Sequence, residues 1–109
     1  MAETRKVLGQ SNPSAATLTD LYVVPGSTEA IVSSLTVTNR SGTATTFRVS
    51  VAIAGAANDN KQYLYYDLPI GGNDSFAATL GLTLAATDKV RVYATLATLS
   101  FNLFGIQLT

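Results

Sequence analysis

From Phe76 onward, apolar residues occupy every second position in three short runs, Phe76/Ala78/Leu80/Leu82, Val90/Val92/Ala94/Leu96 and Leu99/Phe101/Leu103. A period of two marks a half-buried strand, because successive side chains point to opposite faces of a sheet. Thr87-Asp88 and Ala97-Thr98 interrupt the runs, so this stretch predicts an antiparallel meander. Alanine content alone would allow a helix over residues 77–86, but Gly81, Thr79 and Thr83 argue against it.

The same reading extends upstream. Residues 17–24 form a first strand, ended by Pro25-Gly26, a pair suited to a type II turn with positive φ at the glycine. Residues 30–38 form the next, with Ile31, Ser33, Leu35 and Val37 on one face. Asn39-Arg40-Ser41-Gly42 closes a hairpin into residues 43–54, where Thr45, Phe47, Val49, Val51 and Ile53 share the inward side. A loop at 55–60 leads to a strand over 62–68, and Pro69 with Gly71-Gly72-Asn73-Asp74 breaks the chain before the meander. Short strands separated by Gly, Pro, Asn and Asp predict an all-β chain folded as an antiparallel β-sandwich, jelly-roll-like, with about seven to eight strands. With 109 residues there is room for one such domain. It is expected over 16–109, preceded by an extended N-terminal arm over 1–15 in which Val7-Leu8 is the only apolar pair.

Charge changes the picture. Only 13% of residues are charged, against about 25% in ordinary domains. A surface of Thr, Ser, Ala and Tyr suggests that part of it is covered by other chains. The seven basic and seven acidic residues cancel and are scattered, so the clustered positive field that nucleic acid requires is missing. No run of about eighteen apolar residues directs the chain to a membrane, and the N-terminus has no apolar core of a signal peptide.

Candidate chemistry is sparse. Without histidine, cysteine or tryptophan, Ser-His-Asp and Cys-His catalysis and the usual zinc ligands are excluded. Most of the aspartates, Asp20, Asp59, Asp67, Asp74 and Asp88, stand where turns favour an Asx residue. No two carboxylates are spaced as a glycosidase pair, and neither Asn58-Asp59-Asn60 nor Gly72-Asn73-Asp74 has the alternating ligands of a calcium loop. Gly71-Gly72 lacks the lysine of a phosphate loop. No enzyme, metal or cofactor is expected. Recognition potential lies in Tyr63, Tyr65 and Tyr66: alternation sends Leu64 and Tyr66 inward and Tyr63 and Tyr65 outward, with Tyr93 on a similar outward face beside Arg91 and Lys89.

The motifs L-A-A-T-D, V-R-V-Y-A and S-F-N-L-F-G, preceded in order by T-D-L-Y-V-V-P, V-S-S-L-T-V-T-N-R and K-Q-Y-L-Y-Y-D, span 18–109. Together they resemble small all-β virion structural proteins of tailed bacteriophages, of the capsid cement or decoration type. The resemblance implies a virion location, capsid favoured over tail, and a homo-oligomer, trimer favoured over dimer. Its partners would be the major capsid protein or other virion proteins, with no nucleic acid and no membrane. The candidate interface residues are Arg5, Lys6, Val7, Leu8, Tyr63, Tyr65, Arg91 and Tyr93. A tail, neck or fibre subunit is the alternative, and a carbohydrate-binding module using Tyr63 and Tyr65 is another.

Overall fold

The alternating pattern becomes eight strands in the computed structural model, which describes residues 2–109: β1 (Glu3–Ser11), β2 (Thr19–Val23), β3 (Glu29–Asn39), β4 (Thr45–Ala52), β5 (Tyr63–Ile70), β6 (Ser75–Leu84), β7 (Lys89–Ala94) and β8 (Leu99–Leu108). They form two four-stranded sheets, sheet A in the order β1-β8-β3-β6 and sheet B in the order β2-β7-β4-β5. Every pairing is antiparallel. The pairs β1·β8, β2·β7, β3·β6 and β4·β5 are those of one long hairpin rolled into a sandwich, which is the jelly-roll topology. The chain is thus an all-β sandwich, as its alternation predicts, and the helical alternative at 77–86 is replaced by β6 and the turn after it.

The core lies between the sheets. Leu35 and Val37 from β3, Phe47 and Val49 from β4, Val90 and Val92 from β7, and Leu99, Phe101 and Leu103 from β8 are fully buried. Each such side chain contributes about 1.5 to 3 kcal/mol relative to exposure. Phe47 sits at the centre, its ring 5.4 Å from that of Phe76 and 6.0 Å from that of Phe101.

Four expectations are corrected. The segment read as an arm is β1, paired with β8 from Glu3↔Leu108 to Ser11↔Phe101. Leu8 joins the core, and Gly9 lies so close to the carbonyl of Leu21 that a Cβ would collide with it. Asn12 then donates to the carbonyls of Ala97 and Leu99, so the boundary at residue 15 does not separate an arm from the domain; Met1 lies outside the described residues. In β3, the register shifts between Val32 and Ser34. The irregularity turns Ala30 and Val32 inward and leaves Ile31 and Ser33 exposed, so only Leu35 and Val37 keep the expected face. Ile53 is 80% exposed, because β4 ends at Ala52 and the chain turns through Ala54 at φ 53°. At the turn after β2 the positive φ falls on Ser27, not on Gly26.

Polar side chains hold the turns. Asn39, fully buried, donates to the carbonyls of Thr43 (2.8 Å) and Gly71 (3.1 Å) and accepts from Ser41 N (3.1 Å) and Thr98 Oγ1 (3.1 Å). One amide therefore ties together the turns that follow β3, β5 and β7. At the other end, Asp88 accepts from Ala54 N (2.8 Å) and Ala85 N (2.9 Å), and Asp59 caps the 3-10 turn Asn60–Gln62.

Candidate interaction surface

Alternation along β4 that buries Phe47 and Val49 directs Arg48 to the outer face of sheet B, where the register places it opposite Tyr93 of β7. Its guanidinium carbon lies 4.4 Å from the Tyr93 ring centroid and 4.3 Å from that of Tyr66 on β5. Arg48 Nε donates to Asp67 Oδ1 at 2.6 Å and Nη2 to Oδ2 at 3.4 Å. The hydrogen bond to Asp67 is the main cause that pushes the Arg48 pKa above its ordinary value; burial opposes it, and the Asp67 charge and the two tyrosines add to it. The guanidinium is therefore a permanently charged spacer between two aromatic faces.

Tyr63 continues this column, its ring 4.9 Å from Tyr66 and nearly perpendicular at 82°. Asn58 Nδ2 donates to the Tyr63 hydroxyl at 3.1 Å. Asn60, Tyr63 and Tyr66 line a shallow hollow of about 350 Å³. The column exists because β5 departs from strict alternation. Its register against β4 shifts twice, and Asp67 takes φ 50°, which brings Tyr66 out beside Tyr63.

Sheet A presents a different outer surface. Val7 faces Phe104 across β1 and β8, and Ile31 faces Ile106 across β3 and β8. Val7 is 45% exposed and Ile31 also counts among the exposed large apolar residues, while Phe104 and Ile106 are half-buried. On one side of this patch the face is uncharged, where Gln10 donates to Asn102 at 2.8 Å and Thr36, Thr38 and Ser100 complete it; on the other side Arg5 stands opposite Ile106, and Glu3 and Glu29 stand opposite Leu108.

The eight candidate residues are distributed between these surfaces and the fold itself. Tyr63 and Tyr93 belong to the aromatic column; Arg5, Lys6 and Val7 are exposed on β1. Three serve the protomer instead. Leu8 is core. Tyr65, expected outward, turns inward and meets Phe76, whereas Leu64 and Tyr66, expected inward, are exposed. Arg91, expected outward, is buried. It donates to Asp20 Oδ1 (3.3 Å) and to the carbonyls of Ala56 (2.8 Å) and Gly55 (3.2 Å), clamping the turn after β4. Sequence reasoning missed Arg48 and Asp67 and sent Tyr66 inward; the β4·β7 register joins Arg48 to Tyr93, and the pairing of β4 with β5 brings Tyr66 and Asp67 beside it. Among the described residues, no three of His, Cys, Asp and Glu gather as a metal site, and no helix is long and apolar enough to cross a membrane.

No protein-family model matches the chain, and no curated protein matches it. Solved structures similar to it include two crystal structures of a pentameric capsid protein isolated from metagenomic phage sequences, with TM-scores of 0.30 and 0.31 and 15% identity in each case. The alignments cover 96% of this chain and 66% and 59% of those chains, so this chain spans less than two thirds of either.

Proposed function

We propose that this chain is a non-enzymatic structural subunit of a tailed-phage particle, a cement or decoration protein that binds the assembled capsid through contacts made by several copies. The observation that carries the reading is the outer face of sheet A, where an apolar patch of Val7, Ile31, Phe104 and Ile106 continues into an uncharged row of Thr, Ser, Asn and Gln. The patch and the polar row suit burial against protein, because the charges of this face, Glu3, Arg5 and Glu29, gather at one end of it and can stay at a solvated rim. The motifs that carry the phage resemblance, V-R-V-Y-A and S-F-N-L-F-G, lie in β7 and β8, internal strands of the two sheets. The mechanism is mass action: a protein that binds only the assembled lattice stabilises it in proportion to its affinity and concentration.

The test is to add purified protein to heads that lack it and to measure occupancy and thermal release of the genome. Copy number proportional to the number of capsid subunits, with delayed release, is the expected result. Occupancy limited to one small ring at the neck or tail supports the tail-subunit alternative, and absence from the particle overturns the virion reading. A second reading, saccharide binding, is favoured by the hollow at Asn60, Tyr63 and Tyr66. Tyr65 takes no part in it, because its ring packs against Phe76.

A further inference from the structure

Two open sheets have four edge strands, here β1 and β6 of sheet A and β2 and β5 of sheet B. An edge strand offers unpaired N–H and C=O groups to any extended chain, and proteins obstruct edges with charge, proline, bulges or short length. Three of these edges are obstructed. β1 carries Glu3, Arg5 and Lys6 and shifts register between Val7 and Gly9. β2 is five residues long, contains Asp20 and also shifts register. β5 holds Asp67 and Pro69 and shifts register twice.

β6 differs. Its ten residues, SFAATLGLTL, contain no charge and no proline. Its register against β3 is unbroken from Thr38↔Ser75 to Ser34↔Thr79, and the irregularity comes only beyond, near Gly81 at φ 66°. Ser75, Ala77 and Thr79 point outward and are exposed, while Phe76, Leu80 and Leu82 pack against the core yet remain only partly covered. On the opposite side of the sandwich β1 and β2 close the gap, with Leu8, Leu21 and Tyr22 buried.

We infer that residues 75–79 of β6 form a self-association site, where two copies of this chain pair antiparallel about a two-fold axis normal to sheet A. This axis keeps the inner faces of both sheets on one side, so the two four-stranded sheets become a single continuous one. Centred on Ala77, the register sets Phe76 opposite the second copy's Ala78, a large side chain against a small one, and Ser75 opposite its Thr79. Asp74, the nearest charge, falls opposite Leu80, so no like charges meet. Phe76, half-covered within the protomer, gains the second copy's Ala78 as a neighbour. The contact is a two-fold dimer rather than the trimer favoured from sequence. It rests on edge chemistry and not on the virion role: a solution dimer without affinity for heads defeats that role and leaves this contact standing.

The experiment is sedimentation equilibrium on the full chain from micromolar to submillimolar concentration, with far-UV circular dichroism as the control for folding. The parent is expected to dimerise. Ala77→Lys and Ala77→Glu, changes at an exposed side chain, should each weaken dimerisation by more than about tenfold through like-charge repulsion at the axis, with unchanged strand signal. An equimolar mixture of the two should recover a dimer, and Thr4→Lys on β1 should dimerise like the parent. A parent that stays monomeric throughout overturns the proposal, as does a dimer indifferent to both Ala77 variants; a mixture that stays monomeric overturns the register centred on Ala77.

Discussion

The ring of Tyr65 meets that of Phe76 edge-on, with centroids 5.3 Å apart and planes at 76°, and so links an edge strand of sheet B to an edge strand of sheet A. The contact gives the neighbouring tyrosines opposite tasks. Tyr65→Ala should lower stability by about 1 to 3 kcal/mol, from lost burial and a lost aromatic pair. Tyr66→Ala, at a ring 57% exposed, should change it by less than about 1 kcal/mol. Urea titration of both variants checks the difference, and equal effects would mean that the strand faces are wrongly assigned.

Phe47 is expected to be the costliest single truncation in the core. It is fully buried and touches the rings of Phe76 and Phe101. Phe47→Ala should cost about 3 to 5 kcal/mol, against a total of about 5 to 15 kcal/mol for a typical domain. A midpoint shift worth less than about 1 kcal/mol would contradict the assigned packing.

Deleting residues 2–10 removes most of β1, together with Leu8 and the close approach of Gly9 to Leu21. The truncated protein should lose cooperative unfolding or aggregate through the newly exposed edge of β8. Gly9→Ala alone should destabilise it, because the added methyl meets the Leu21 carbonyl. Retention of the parent melting curve by the deletion variant would restore the reading of this segment as a dispensable arm.

Asn39 has every polar atom of its side chain engaged. Asn39→Asp replaces two donors with an acceptor that faces the carbonyls of Thr43 and Gly71, so a loss of more than about 2 kcal/mol is expected at neutral pH. The sign of the pH dependence follows. The introduced carboxyl is disfavoured when ionised, which raises its folded-state pKa above the unfolded one; relative to the parent the variant should recover as pH falls through that folded value. A constant difference between variant and parent from acid to neutral pH would contradict this geometry.

Alternation was readable wherever a strand stays in register. Val90 and Val92 in β7, and Leu99, Phe101 and Leu103 in β8, are buried as their spacing predicts. It failed where the backbone slips. The irregularity at Ser33 exchanges the faces of Ile31 and Val32 with no special residue to announce it, and the two shifts in β5 exchange those of Tyr65 and Tyr66, where Asp67, a residue type that tolerates positive φ, marks only one of them. β1 escaped detection for another reason. Its place in the sheet comes from main-chain hydrogen bonds to β8, and one edge strand needs only Leu8 to reach the core. The aromatic column was legible only in fragments, since Arg48 and Tyr93 are 45 positions apart and meet only through the β4·β7 register.

The rolled-hairpin pairing also sets a timetable. β8 lies between β1 and β3, so the strand made last is internal to a sheet that begins with the strand made first. Loop closure over nearly the whole chain must precede that pairing, which places folding among the slow, non-local topologies, in the millisecond-to-second range. During synthesis β1 waits without a sheet partner until β8 has left the ribosome. A ribosome stalled before Leu99 holds β1 and the β3·β6 pair of sheet A with nothing to join them.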